Sequence, residues 1–237
     1  MTAAPLLVFA RCAGFVFRAP GFSHPSVPRM LRAGLAFALT VAIVPGVRVR
    51  LLDGVGLIVA VMIEFALGTA IGMAASLIYD GAYAGGRMLD DYVGVKAIAP
   101  NVDLVAPSGF GRIWSVAFTG GYFLFGAYRP AVATFAASFE RIVPGAPFDA
   151  HAWGPFAVSV ATTIVTVALA VAAPAIALAF VTQIALAALA RTVPRFATFT
   201  LSFPLVFGVV LIVTALSIPL AAARAAHPLV FIPGVVR

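Results

Sequence analysis

Charged side chains are scarce in this sequence. Asp, Glu, Lys and Arg make up 10% of its 237 residues, whereas soluble domains contain about 25%. Hydrophobic residues make up 63%, and the mean hydropathy is +1.11. A chain of this composition cannot cover itself with a water-exposed surface, so it must face lipid, other apolar subunits or both. This excludes an ordinary soluble domain.

Acidic residues are fewer than basic ones, 8 against 15, which gives a net charge of +7. The basic residues stand singly between apolar runs and form no stripe with interleaved aromatic residues. We therefore expect no nucleic acid. Lipid headgroups, or acidic residues of partner subunits, are the expected counter-charges.

Cysteine is nearly absent, because Cys12 is the only one. An internal disulfide and a cysteine metal site are thereby excluded, and we interpret Cys12 as a small buried apolar residue. His24, His151 and His227 are far apart in the sequence. The sequence therefore predicts no metal and no cofactor.

Catalytic motifs are also missing: no nucleophile elbow, P-loop or HExxH occurs. Asp90 and Asp91 are adjacent, and adjacent helical residues do not face each other. They are a poor general acid/base pair, and we favour a hydrated loop or a helix end for both. The sequence therefore does not predict an enzyme.

Long apolar runs are what the sequence has in abundance, at 3–17, 33–47, 54–79, 113–128, 153–190 and 197–223. They predict an all-α, multi-helix membrane-associated protein with kinked helices and hairpins. The runs at 33–47 and 113–128 extend only about 23 Å as helices, less than the bilayer core of about 30 Å. The run at 153–190 contains Pro174, which we expect to kink or break a helix. These irregular lengths favour burial against protein over a plain lipid-spanning bundle.

Glu64 is the one acid well inside an apolar run. Glu64, Gly68, Gly72 and Ser76 recur every four residues, so they share one helix face. The GxxxG of Gly68 and Gly72 lets another backbone approach closely. We favour a structural role, in which Glu64 pairs with an arginine or a backbone group of a neighbouring helix. The alternative is a role in moving protons or substrate, because ionisable groups inside a membrane are often functional.

Four patches of the chain, in this order and spacing, resemble the FliR/SctT family, an integral subunit of the export gate in type III secretion systems. The patches are RCAGFVFRAPGFSHPSVPRMLRAGLAFALTVAIVP (11–45), EFALGTAIGMAASLIYDGAYAGGRMLDD (64–91), GRIWSVAFTGGYFLF (111–125) and RTVPRFATFTLSFPL (191–205). In the last patch we expect a corner between two helices, formed by Arg191, Pro194, Arg195 and Pro204. The resemblance implies one FliR/SctT-like domain over residues 1–237, in the bacterial inner membrane within the base of the secretion system.

The resemblance also implies partners and a mechanism. The partners are FliP/SctR-like and FliQ/SctS-like subunits that complete a helical hetero-oligomeric gate, and an FlhB/SctU-like switch subunit at its entrance. Secreted proteins would pass unfolded through the centre. The segment 94–107 corresponds to a loop that plugs the resting channel, so that Gly94, Val95, Ile98, Pro100 and Pro107 become candidate plug residues. The alternative for this segment is a surface loop that only joins two helices.

Two stretches depart from the flagellar pattern of the family. After the third helix the chain has Leu89-Asp90-Asp91-Tyr92-Val93-Gly94, closer to the Asp-x-x-x-Gly of injectisome members. Gly126-Ala127-Tyr128-Arg129 replaces the flagellar Asn-Gly-His, whereas the Ser-Phe-Pro at 202–204 is closer to the flagellar pattern. We favour an injectisome subunit over a flagellar one. A small-molecule membrane transporter is the alternative function, disfavoured by the few polar residues inside the apolar runs.

Overall fold

The described part of the chain is all helix. The computed structural model describes residues 3–23, 27–50, 54–94, 109–147, 151, 153–192 and 199–224. Its helices are α1 (Ala3–Arg18), α2 (Arg29–Ile43) with the 3-10 turn Val44–Gly46, α3 (Val55–Val93), α4 (Gly109–Leu124), α5 (Tyr128–Arg141), α6 (Trp153–Ala190) and α7 (Phe199–Arg224). No strand occurs within those ranges, so the predicted all-α class is confirmed.

Four of the described helical segments are long and apolar enough to cross a membrane: Arg29–Gly46, Val55–Val93, Trp153–Ala190 and Ser202–Pro219. α2 itself has 15 residues, the length expected for this run. The segment becomes long enough to cross a membrane only with the 3-10 turn Val44–Gly46, which extends it to 18 residues. The two arginines in the first turn of α2 interrupt the apolar run in the sequence, yet long basic side chains are compatible with the end of a spanning helix because they extend to the membrane surface. α6 continues through Pro174 without a break.

The chain divides into two compact units. Unit 1 contains α1, α2, α3 as far as Leu77, α5, and α6 as far as Ala161; unit 2 contains α3 from Ile78, α4, α6 from Thr162, and α7. The long helices α3 and α6 therefore contribute to both cores. The single domain expected over residues 1–237 stays a prediction.

The core of unit 1 forms around α1. α1 packs on α2, and it presents fully buried Leu7, Val8 and Phe15 to its neighbours. The rings of Phe15 and Phe135 of α5 stack with centroids 4.2 Å apart. Apolar contacts thus bring α1 and α5 together, although more than a hundred residues separate them in the chain.

The core of unit 2 combines bulky aromatic residues with small ones. α4 contributes Phe110, Trp114 and Phe118, spaced four residues apart on one helix face. α6 contributes a stripe of mostly small residues, and α7 contributes valines; the buried members are Ala168, Val171, Ala172, Ala175, Ala179, Val206 and Val210. Small residues let helix backbones approach closely. Such close packing drives helix association inside a membrane, where the hydrophobic effect does not act between helices.

Large apolar side chains remain exposed on the spanning helices. Met30, Leu31 and Phe37 of α2 are exposed, as are Val165 and Phe180 of α6 and Ile212 of α7. Soluble monomers rarely expose contiguous apolar patches of large area. These faces suit contact with lipid or with other apolar chains.

Candidate functional site

A buried ion pair lies at the centre of unit 1. Nε of Arg11 donates to Oε2 of Glu64 at 2.6 Å. Arg11 is 0% exposed and Glu64 is 1% exposed. An isolated charge in this position would cost several kcal/mol, so each group needs the other. This pair connects α1 to α3.

The remaining polar atoms of Arg11 bind the end of α5, and those of Glu64 bind the loop that follows it. Arg11 donates through Nη1 to the carbonyl oxygen of Ser138 at 3.0 Å and through Nη2 to that of Ile142 at 3.0 Å. The backbone N–H of Gly145 donates to Oε1 of Glu64 at 2.9 Å. The last carbonyls of a helix carry partial negative charge, which a cation stabilises. Arg11 therefore caps the C-terminus of α5, and its guanidinium also lies 4.5 Å from the ring centroid of Phe139.

Glycines allow α1 and α3 to come close enough for this pair. A Cβ atom added at Gly68 would collide with the backbone carbonyl of Arg11, and one added at Gly72 would lie 2.7 Å from the carbonyl oxygen of Phe15. Gly14 on α1 makes the reciprocal approach to the carbonyl of Phe65. The face that carries Glu64, Gly68 and Gly72 therefore meets α1 of the same chain. The hydroxyl of Ser76, on the same face, donates to the carbonyl of Met73 at 3.0 Å.

Two parts of this cluster do not follow from the sequence pattern. The first is α5, because the tyrosine, arginine and glutamate of YRPAVATFAASFER hide its apolar pattern. The signal was the recurrence of Ala131, Phe135 and Phe139 every four residues, all of which are buried. The second is Arg11 as the partner of Glu64, because the two residues are 53 positions apart in the chain.

In unit 2 a second buried charge, Asp90, connects α3 to the start of α4. Asp90 lies near the end of α3, as expected. Its side chain is buried, with 2% of the residue exposed, so the expectation that it is hydrated is wrong. Its Oδ1 accepts from the N–H of Phe110 at 3.1 Å, and its Oδ2 accepts from the N–H of Gly111 at 3.4 Å. α4 has no acid of its own in its first turn. Asp90 therefore serves as the N-terminal cap of α4 from another helix.

Gly94 ends α3 four residues after Asp90. Its φ of 81° is in the left-handed region that favours glycine, and its N–H donates to the carbonyl of Asp90 at 3.1 Å. A helix commonly ends in this way. The Asp-x-x-x-Gly pattern therefore has a structural role at this point of the chain: Gly94 ends α3, and Asp90 caps the start of α4.

Glycines also bring α3 close to its neighbours in unit 2. A Cβ at Gly85 would lie 2.6 Å from the carbonyl oxygen of Ala168 on α6, and one at Gly86 would lie 2.6 Å from Cα of Gly111 on α4. The hydroxyl of Ser115 donates to that of Tyr79 at 2.6 Å. This part of α3 therefore packs tightly on two helices through glycine contacts and a hydrogen bond between hydroxyl groups.

Most candidate plug residues and half of the candidate corner lie outside the described residues. Of the plug, only Gly94 is described; Val95, Ile98, Pro100 and Pro107 are outside, and so are Pro194 and Arg195 of the corner. Arg191 directly follows the end of α6 and is exposed. Pro204 is exposed on α7, five residues after the first residue of that helix. These assignments stay predictions.

The described side chains offer little reactive chemistry. No group of His, Cys, Asp and Glu suitable for a metal ion occurs among the residues that the structure describes. Burial raises the pKa of Cys12 to about 11, so the thiol stays protonated at neutral pH and is a poor nucleophile. Both buried acids, Glu64 and Asp90, bind helix ends or loop backbone. The arrangement is suited to fixing helices in place.

The fold and these contacts define a helical membrane protein that holds its helices by buried charges and glycine contacts. The chain belongs to the family described as bacterial export proteins, family 1, whose model matches residues 2–229. This is the FliR/SctT family, so the resemblance is confirmed at the level of the family. Comparison with curated proteins gives no match. Membership identifies the chain as a component of a bacterial export apparatus.

Proposed function

We propose that this chain is the FliR/SctT-type subunit of a type III protein secretion export gate in the bacterial inner membrane. The family match over residues 2–229 carries the proposal. The exposed apolar faces of α2, α6 and α7 support it, because a subunit of a larger membrane assembly needs such faces to contact its partners. The buried acids support a structural role over solute transport, since both already bind protein groups.

The partners in this proposal are FliP/SctR-like and FliQ/SctS-like subunits and an FlhB/SctU-like switch subunit, and the cargo is secreted protein. Expressed alone, the chain should aggregate or be degraded, because its apolar faces are uncovered. Co-expression with the two small subunits should give a discrete complex, measured by size-exclusion chromatography and mass spectrometry. A monodisperse monomer obtained without partners would contradict the proposal.

Deletion of the gene tests the function directly. The deletion should abolish secretion of type III substrates into the medium, and the parent gene should restore it. Quantitative immunoblotting of culture supernatants measures the effect. The transporter alternative predicts normal protein secretion together with altered uptake or efflux of a small solute.

Within type III systems we favour an injectisome over a flagellum, on the pattern formed by Asp90 and Gly94. An injectisome subunit predicts that the deletion strain loses effector secretion and keeps its swimming motility. Loss of motility with normal effector secretion would assign the chain to the flagellum.

The plug of the resting channel is assigned to residues 94–107. The described residues that flank the segment support this assignment: Gly94 ends α3, and Asp90 at the end of α3 binds the first turn of α4. Hydrophobic constrictions close pores by excluding water. Val95 and Ile98 are the candidates for that constriction.

Replacement of residues 95–107 by a glycine–serine linker of equal length should leave the complex assembled but make cells leak ions. Ion flux through the purified complex in liposomes is the measurement. A second variant that keeps the native segment and changes only Lys96 to Gln serves as the control, and it should stay closed. If the linker variant assembles and leaks no more than the parent, the plug assignment is wrong.

A further inference from the structure

Gln183 places an amide on an exposed apolar surface of α6 in unit 2. It is the only glutamine of the chain, and α6, from Trp153 to Ala190, contains no charged residue. Gln183 is exposed, and so are Phe180, Ile184 and Ala187, which lie three or four residues apart on one helix face. The amide therefore lies within a surface that is otherwise apolar.

The hydrogen bonds of this amide are only partly satisfied. The hydroxyl of Tyr92, near the end of α3, donates to Oε1 of Gln183 at 3.3 Å. A glutamine amide also carries two N–H donors, and these have no acceptor among the described residues. By contrast, the hydroxyls of Thr166 and Thr182 donate to carbonyls of α6 itself, at 2.9 and 2.8 Å. Gln183 thus keeps donors that the described part of its own chain does not use.

The position of Gln183 along α6 indicates a protein acceptor for these donors. The apolar residues 184–190 separate it from the end of the helix, and Arg191 lies eight residues further on, roughly 12 Å along the helix axis. A polar group in apolar surroundings is unfavourable unless it is hydrogen-bonded, and acyl chains offer no acceptor. A second copy of this chain would bring the same amide, whose oxygen already accepts from Tyr92. A different protein fits the surface better.

We propose that this face of α6 binds an apolar helix of a different subunit, and that this helix carries a side-chain oxygen that accepts a hydrogen bond from the amide of Gln183. Glutamine side chains form such bonds between helices in membranes. Phe180, Ile184 and Ala187 supply the apolar contact around the bond. The inference rests on the proposed function, because it specifies the chemistry of one contact within that assembly.

Site-specific crosslinking identifies the partner helix. The full chain with p-benzoylphenylalanine in place of Ile184, which is 54% exposed, is produced in the cells that carry the gene. After irradiation, mass spectrometry maps the crosslinked peptide. We expect an apolar segment of another subunit that contains Asp, Glu, Asn, Gln, Ser or Thr within one helical turn of the crosslinked residue.

Matched variants then measure the contribution of the amide. The complex with the identified subunit is purified in detergent, and native mass spectrometry follows its dissociation. Gln183→Met should raise the dissociation rate about fivefold, the factor expected for the loss of one hydrogen bond between helices. Tyr92→Phe should raise it less, because the amide remains but is no longer oriented. Thr182→Val is the control and should leave the rate unchanged, since that hydroxyl bonds only to its own helix.

A double-mutant cycle separates the hydrogen bond from general packing. Replacing the mapped acceptor residue of the partner by Ala should raise the dissociation rate as much as Gln183→Met does. Combining the two substitutions should raise it no further, because either one already removes the bond.

Each result decides the inference. It is supported if the mapped helix carries an acceptor and if Gln183→Met, unlike Thr182→Val, speeds dissociation or prevents assembly without adding to the loss of the acceptor. It is overturned if crosslinks reach only lipid, a second copy of this chain, no protein or a helix without an acceptor, or if Gln183→Met acts no more strongly than Thr182→Val. A complex with FliP/SctR-like and FliQ/SctS-like subunits that is insensitive to Gln183→Met would overturn this inference and leave the proposed function intact. An acceptor-bearing helix of an unrelated membrane protein would support the contact and contradict the proposed function.

Discussion

The two parts of α3 bind their neighbouring helices through different interactions: an ion pair in unit 1, and a helix cap with glycine contacts in unit 2. In unit 1, Glu64 forms an ion pair with Arg11, and the pair also binds the end of α5. In unit 2, Asp90 accepts N–H groups at the start of α4, and Gly85 and Gly86 bring neighbouring backbones close. Both units thus use a buried charge from one helix to cap another. Only in unit 1 does a described opposite charge compensate it at 2.6 Å.

This difference predicts that substitutions in the two units lower the stability of the protein by different amounts. Removing one member of a buried pair leaves an uncompensated charge, which costs about 3–5 kcal/mol. Overpacking a glycine contact costs about 1–3 kcal/mol, and loss of a capping side chain costs about 0.5–2 kcal/mol. Unit 1 should therefore be the more easily damaged by a single change in charge.

The largest effect is expected for Glu64→Ala. It leaves Arg11 buried without its counter-charge and Gly145 N–H without its acceptor, so the free energy of unfolding should fall by about 3–5 kcal/mol. Denaturant titration of the purified protein or its complex in detergent measures this loss. The double variant Arg11→Leu/Glu64→Leu should lose less, because no lone charge remains.

Glu140→Ala provides the control for Glu64→Ala, because it removes an exposed acid from α5 and should change stability by less than about 0.5 kcal/mol. If Glu64→Ala and the double variant lose equal amounts of unfolding free energy, the pairing of the two charges does not contribute to stability. The proposed difference between the two units would then be wrong.

An intermediate effect is expected for Gly68→Ala and Gly85→Ala. In each case the new methyl group meets backbone of a neighbouring helix, which cannot shift as a flexible side chain can, so each should cost about 1–3 kcal/mol. Gly56→Ala is the control, since its Cβ meets nothing within 4 Å.

Cys12 distinguishes these two glycine variants. It is 0% exposed, and burial raises its pKa to about 11, so maleimide should label the parent protein slowly at pH 7. Gly68→Ala displaces α1 and should speed the labelling, whereas Gly85→Ala lies in unit 2 and should not. If both variants raise the rate of maleimide labelling equally, a change in unit 2 also disturbs the packing of unit 1, and the two units are not independent.

The smallest effect is expected for Asp90→Ala, which removes the cap of α4 and should cost about 0.5–2 kcal/mol. Asp90→Asn should cost less, because its amide oxygen still accepts one N–H. Asp91→Ala, at the adjacent exposed position, is the control. Hydrogen exchange at the amides of Phe110 and Gly111 is the specific measurement. No faster exchange in Asp90→Ala would mean that Asp90 does not cap α4.

Much of the fold was predictable because long apolar runs have few alternatives to helix in a membrane. The runs at 3–17, 153–190 and 197–223 closely match α1, α6 and α7. α5 was not identified, because its buried face is narrow and polar residues separate its members. The run at 113–128 crossed a helix boundary, since Gly126, with a φ of 73°, turns the chain in a stretch that is otherwise apolar.

The candidate site was predictable only in part. The four-residue spacing of Glu64, Gly68 and Gly72 defined one helix face, because side chains four apart lie one above the other. The identity of the helix that meets this face did not follow from spacing, since any apolar helix with a small residue could meet it. Asp90 was interpreted as hydrated because the sequence does not show that the N–H groups of residues 110 and 111 return to it.

The sequence by itself determined that this protein is helical, belongs in a membrane and is a member of an export family, because composition and local order along the chain decide all three. Only the tertiary structure decided that Arg11 is the partner of Glu64, that Arg11 binds the end of α5 and Glu64 the loop after it, and that Asp90 caps α4. Charge pairing and close backbone approach depend on distances between residues 20 to 131 positions apart. Such distances are set when the apolar faces pack, and no local pattern encodes them.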